Sequence, residues 1–171
     1  MLSPRLLPSF YLAFISVLCI AQERPKSPAV PETCPVTKPA MQPFVPPPPH
    51  PAKPYVDSFW FGTDRLWTFL PFSGTWSLGH YTPDDPTFRQ KLFFWRQGFN
   101  PHTDFQPKLT VSGRRIDTNA SPLQTDGYGN GSWTKDDQFI VTGINFPTAG
   151  CWEVTGHYGK DELTFVVWVS P

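Results

Sequence analysis

The chain has little charge and no surplus of either sign. Lys plus Arg number 14 and Asp plus Glu number 14, together 16% of 171 residues. A balanced chain lacks the electrostatic footprint of a nucleic-acid binder or a polybasic membrane binder, so no nucleic-acid partner is expected. Beyond Ile20 no apolar run approaches the ~20 residues that cross a bilayer as a helix. No window of a dozen residues carries a 3.6-residue apolar period, and the Ala, Glu, Lys and Leu mixture of helical bundles is missing. There is no Gly-x-Ser-x-Gly motif. His50, His80, His102 and His157 show no His-x-His or His-x3-His spacing. What fills the chain instead is aromatics at 16%, 22 prolines and 12 glycines, a mixture that favours strands and turns.

Residues 1–21 read as a secretory signal peptide. Arg5 is the lone positive charge ahead of the apolar run from Phe10 to Ile20, and no acidic residue precedes Glu23. Cys19 and Ala21 put small residues at −3 and −1 of a cut after Ala21. An uncleaved anchor is the alternative, for which the run is short. The mature chain is expected to be soluble, near-neutral and secreted or periplasmic, without a membrane span.

Proline then divides the sequence: 14 of the 22 prolines precede Tyr55. Residues 22–56 are expected to be a proline-rich arm or linker, partly polyproline II, because proline lacks a backbone donor and restricts its predecessor. Such a segment reads as a semi-rigid spacer. Residues 57–171 are the candidate domain, long enough for one core. Strands are expected near 65–70, 74–78, 89–96, 107–112, 114–118, 138–146, 151–158 and 162–169. Turns are expected at Ser73-Gly74, Asn100-Pro101, Ser112-Gly113, Asp126-Gly127, Gly129-Asn130-Gly131 and Gly159-Lys160-Asp161, among others. Short strands at regular spacing indicate a sandwich or barrel.

The last third is the most explicit. Leu163, Phe165, Val167 and Val169 alternate onto one face, and Trp152, Val154 and Tyr158 do the same in the preceding run. The opposite face, Thr164, Val166 and Trp168, is too apolar for water and calls for a cover. Residues 138–146 are expected to complete three successive antiparallel strands.

The mature chain keeps two cysteines, Cys34 and Cys151, so one intramolecular disulfide is possible and an oxidising compartment favours it. If Trp152 is core, Cys151 points outward. The proline segment would then lie over the outer face and cover Val166 and Trp168. A free buried thiol, an intermolecular bridge and a metal ligand are the alternatives.

The stretch Phe146-Pro147-Thr148-Ala149-Gly150-Cys151-Trp152-Glu153-Val154-Thr155-Gly156 resembles the late-strand pattern of bacterial immunoglobulin-like sandwiches. With Cys34-Pro35-Val36-Thr37 it also resembles exported bacterial proteins to which no activity attaches. The resemblance implies an all-β, immunoglobulin-like Greek-key sandwich with an extended proline-rich N-terminal arm. It departs from antibody domains in lacking a Cys…Trp…Cys spacing, so no intersheet core disulfide is implied. A shared fold says little about function.

Three chemistries are weighed. Cys151 with His157 suggests a copper site, but no Met follows Cys151 to serve as axial ligand, and the histidines read as exposed loop residues. Asp84-Asp85 and Asp136-Asp137 read as turn carboxylates, whose side chains bond nearby backbone donors, ahead of calcium or glycosidase roles. The seven tryptophans are divided between core and surface. Trp60, Trp76 and Trp133, near turns with small neighbours, are the candidate aromatic binding surface. Arg89, Arg96, Arg114 and Arg115 can stack on rings or pair with acids. Asn119 and Asn130 head Asn-x-Ser sequons read as loops. No metal or cofactor is expected. The expected function is a non-catalytic exported binding or structural module whose partner is an unknown protein or glycan. The alternative is a carbohydrate-active or hydrolytic accessory domain using exposed aromatics and loop carboxylates such as Asp84 and Asp137.

Overall fold

A computed structural model describes residues 29–54, 57–80, 82 and 84–171. The proposed signal peptide and the first part of the proline-rich segment lie outside the described residues. Those residues form nine strands and no helix: β1 (Ser58–Gly62), β2 (Trp67–Pro71), β3 (Thr75–Ser77), β4 (Phe88–Phe94), β5 (Leu109–Arg115), β6 (Gln124–Thr134), β7 (Asp137–Phe146), β8 (Gly150–Tyr158) and β9 (Asp161–Ser170). With no helix described, none is long and apolar enough to cross a membrane.

The strands make an all-β arrangement consistent with a sandwich. One sheet has the order β3-β9-β8-β5 and the other β4-β7-β6, with β1-β2 a separate hairpin. A two-residue bridge joins that hairpin to the end of β4. Trp67 N donates to Trp95 O at 3.0 Å and Trp95 N to Trp67 O at 2.9 Å, and Thr68 Oγ1 donates to Phe93 O at 2.7 Å. The second sheet therefore continues as β1-β2-β4-β7-β6. In the first sheet β3 runs parallel to β9, pairing Trp76 with Val169.

Period-2 patterning builds the core. Phe88, Leu92 and Phe94 of β4 and Ile140, Ile144 and Phe146 of β7 meet Trp152 and Val154 of β8 and Leu163, Phe165, Val167 and Val169 of β9. Burying a side chain of this size contributes about 1.5–3 kcal/mol. The polar end of Trp152 is satisfied as well, its Nε1 donating to Thr148 O at 3.0 Å.

Several sequence expectations are corrected. Residues 58–62 form a strand that was not anticipated. The runs 107–112 and 114–118 are one strand, β5, which passes through Ser112-Gly113 without turning. Gly113 serves close packing: a Cβ there would stand 2.3 Å from Leu123 Cδ2. Likewise Asp126-Gly127 and Gly129-Asn130-Gly131 are not turns but lie within β6. Asp126 and Gly127 form an irregularity in the β6–β7 ladder between Thr125 and Tyr128, with Gly127 at φ +90°, which favours glycine. Nor is β7 a third strand beside β8 and β9. It pairs with β4 and β6, and the Pro147–Ala149 turn carries the chain to the opposite sheet.

The N-terminal segment is not a spacer over residues 29–54, because it is docked on the sandwich. Cys34 is bonded to Cys151 across 117 residues. Closing a loop of that size restricts the unfolded chain by about 4–5 kcal/mol on the loop-entropy account. Thr37 N donates to Val166 O at 2.9 Å, and Val166 N returns a bond to Thr37 Oγ1 at 2.8 Å. Cys34, Val36 and Cys151 form a small core with Val166 and Trp168 packed against it. The cover that the apolar outer face of β9 called for is this segment. Farther along, Trp60 Nε1 donates to Pro51 O at 2.9 Å, which secures the segment to β1.

Candidate functional site

The two sheets bury their inner faces alike but differ outside. On the outer side of β4-β7-β6, strand alternation turns Arg89, Lys91 and Phe93 away from the core. They stand opposite Asn145, Gly143 and Val141 of β7. Across β7, Gly129 pairs with Val141 and Gly131 with Phe139. The result is a face with a polar end and an aromatic end.

The polar end is a groove of about 710 Å³ with Gly127, Gly129 and Gly143 in its floor and Arg89, Lys91 and Asp126 in its walls. Asp126 Oδ1 accepts from Asn145 Nδ2 at 2.6 Å. Its other oxygen leans over Gly143, where a Cβ would come within 2.7 Å. Glycine at 143 thus makes room for the carboxylate. Arg89 Nε lies 3.6 Å from Asp85 Oδ2. The groove carries both charge signs, Arg89 and Lys91 with Asp126.

At the aromatic end Trp133 is 48% exposed. Its ring centroid is 5.1 Å from Phe139 and 5.5 Å from Phe93. Phe139 can lie this low because Gly131 has no Cβ, which would sit 2.4 Å from Phe139 Cε2. Behind them Trp60, Trp67 and Trp95 form a second core with Phe139. Trp133 is therefore a ring held from beneath by other rings, with one side toward solvent.

Of the three tryptophans assigned to a surface, only Trp133 is exposed. Trp60 is 3% exposed and packs edge-on against Trp95 at 5.0 Å, its indole N–H committed to Pro51 O. Trp76 is 7% exposed and lies in the main core against Phe146 and Phe165. Both are withdrawn from the binding surface. Small neighbours such as Ser77 and Gly62 signalled a turn nearby and not the direction of the ring.

Asp137 and His50 were also misjudged. Asp137 is 2% exposed. Its Oδ1 accepts from Trp95 Nε1 at 2.7 Å and pairs with His50 Nδ1 at 2.9 Å. The His50 side chain is 12% exposed and meets Trp67 edge-on at 5.1 Å. The N-terminal segment thus plugs a histidine into the aromatic end. Counting back by twos from Phe139 places Asp137 on the outer face, but no local signal announces that residue 50 covers it. A recess of about 170 Å³ beside His50 is bordered by Arg96, Asp136 and Gln138. Within this cluster Asp137 Oδ2 and Trp67 Nε1 are buried without a partner.

Most of the remaining candidates have local structural partners. Thr87 N and Oγ1 bond Asp85 Oδ1 at 2.9 and 2.6 Å and hold its carboxyl below the usual range; Asp84 is exposed. His80 and His102 are exposed, while His157 is half-buried and sits 3.3 Å from Glu162. With its sulfur bonded to Cys34, Cys151 has no thiolate to give a metal. Among the described residues no three His, Cys, Asp or Glu side chains gather in a metal-holding group. Arg96 lies 4.4 Å over the Tyr158 ring, Arg114 pairs with Glu153 at 2.8 Å and Arg115 with Asp117 at 2.7 Å. Asn119 is exposed after β5, and Asn130, within β6, donates to Asp104 O at 3.2 Å.

No family model, no curated protein and no solved structure matches the chain.

Proposed function

We propose that the protein is an exported, non-catalytic binding module that recognises a glycan on the outer face of β4-β7-β6. The observation that carries this reading is the half-exposed Trp133, packed at a tilt against Phe93 and Phe139 and on one sheet face with a groove bearing Arg89, Lys91 and Asp126. A supported aromatic face takes the apolar side of a sugar ring, and nearby charged groups bond its hydroxyls. The sheet supplies the rigidity that keeps the ordering cost of binding low.

Other parts of the reading have separate support. The orders β2-β4-β7-β6 and β3-β9-β8-β5, with the parallel β3–β9 edge, fit A-B-E-D and A′-G-F-C strands of an immunoglobulin-like Greek key. Export rests on the composition of residues 1–21 and on a disulfide that suits an oxidising compartment. A bacterial source rests on the sequence resemblance alone. The non-catalytic assignment draws on the carboxylates: Asp85 is occupied by Thr87, and Asp137 is sealed beneath His50 and Trp95.

The test is calorimetric titration of the disulfide-bonded protein with a panel of soluble polysaccharides, beside the Trp133→Ala variant. The reading expects saturable binding to at least one polysaccharide, lost in the variant, with no release of reducing ends. Binding that survives Trp133→Ala, turnover, or no binding across the panel would each overturn it.

A further inference from the structure

A different recess lies where the N-terminal segment crosses the β1–β2 hairpin. Its volume is about 510 Å³, within the range of small-molecule sites, and its lining is apolar except for Lys53 and Ser58. Phe44 and Val45 come from the N-terminal segment, Phe59 and Trp60 come from β1, and Phe72 follows β2. Two of its lining residues, Val45 and Phe72, are exposed large apolar side chains. Clustered exposed apolar surface of this kind marks an interaction site. The one indole N–H in the lining is already spent, since Trp60 Nε1 donates to Pro51 O. The recess therefore selects an apolar body and offers a single charge, the Lys53 ammonium, to one end of it.

We propose that this recess binds a single-chain anionic amphiphile, a medium- or long-chain alkyl carboxylate. Its tail lies between Phe44 and Val45 on one side and Phe59, Trp60 and Phe72 on the other. Its carboxylate pairs with Lys53. The Lys53 charge selects a carboxylate over neutral or cationic amphiphiles, and an apolar recess of this volume suits a single alkyl chain. This site shares no residue with the groove beside Trp133 and does not depend on the glycan reading.

The experiment is calorimetric titration of the disulfide-bonded protein with dodecanoate below its micelle concentration. Dodecyltrimethylammonium and a neutral dodecyl glycoside are the comparison probes. The proposal expects one dodecanoate per chain and weaker binding of the cationic probe. Lys53→Glu should weaken dodecanoate by about tenfold, the scale of reversing an exposed ion pair, and leave the neutral probe unchanged. Ala52→Trp, which puts an indole into the recess, should abolish binding, and Trp133→Ala should leave it intact. Near-ultraviolet circular dichroism confirms that each variant is folded. Absence of saturable binding, equal affinity for the cationic probe, or undiminished binding by folded Ala52→Trp would overturn the proposal. So would a concentration-dependent dimer that occupies the recess in place of dodecanoate.

Discussion

The two outer faces of this sandwich carry similar cargo and meet different ends. On β3-β9-β8-β5 the outer side presents Cys151, Val166 and Trp168, and the N-terminal segment partly covers them with a disulfide and two bonds between Thr37 and Val166. On β4-β7-β6 the outer side presents Phe93, Val141, Phe139 and Trp133. There the described part of the segment covers one end, through Phe44 and His50, while Trp133 is half-exposed at the other side of that cluster. The difference teaches that an aromatic residue's role is set by its cover. Trp168 and Trp133 both sit on outer faces, and what separates them is a stretch of chain more than a hundred residues away in sequence.

Removing the staple is the harshest way to break this comparison. Cys34→Ser with Cys151→Ser should lower stability by about 4–5 kcal/mol on the loop-entropy account, read by urea unfolding. It should also raise binding of a hydrophobic dye as Val166 and Trp168 lose their cover. An unchanged midpoint would mean that the segment is held without the disulfide. Next in size is His50→Ala. It strips Asp137 of one of its two partners, leaving a buried carboxylate less well satisfied, at a cost of about 1–3 kcal/mol. Hydrogen exchange should then rise around residue 50 and stay low at Val166. Uniform loosening of both regions would contradict two separate anchorages.

Trp133→Ala sharpens the comparison from the open side. It removes a ring already half in water, so stability should fall by no more than about 1 kcal/mol while ligand binding is lost. A large drop in melting temperature would reclassify Trp133 as core. The smallest effect concerns the end of β5. Arg115 beside Asp117, chiefly through their hydrogen bonds, holds the Asp117 carboxyl below its ordinary value. A carboxyl depressed in the folded state contributes stability above its unfolded value, and this contribution is lost as pH falls through the folded one. Asp117→Asn should therefore flatten a slight decline in stability on acidification below the ordinary carboxylate range, measured by thermal melts. An unaltered pH profile would remove Asp117 from the account.

How far the sequence foretold these faces depends on how local each signal was. The alternation Leu163, Phe165, Val167, Val169 and the surplus of Val166 and Trp168 behind it required both a core face and a cover. With two cysteines left, the cover had one obvious clasp. β6 was illegible because its glycines look like turns. Gly131 is there so that Phe139 can lie over it, a cross-strand contact, and Gly127 takes the positive φ of the ladder irregularity. The burial of Trp60 and Trp76 was hidden for a similar reason: Gly62 and Gly74 nearby in sequence suggested turns, while the neighbours in space are Trp95, Phe146 and Phe165. His50 gave no sign at all. A histidine following four prolines looks exposed until Asp137 and Trp67 are brought to it from other strands.

The most direct measurement is oxidative footprinting of the tryptophans by mass spectrometry, before and after reduction of the disulfide. The account predicts rapid oxidation of Trp133 alone among Trp60, Trp76, Trp133 and Trp168 in the disulfide-bonded protein. Trp168 should become reactive once Cys34 and Cys151 are reduced. Protection of Trp133, or oxidation of Trp168 at the same rate while the disulfide is intact, would contradict the division into one covered face and one open face.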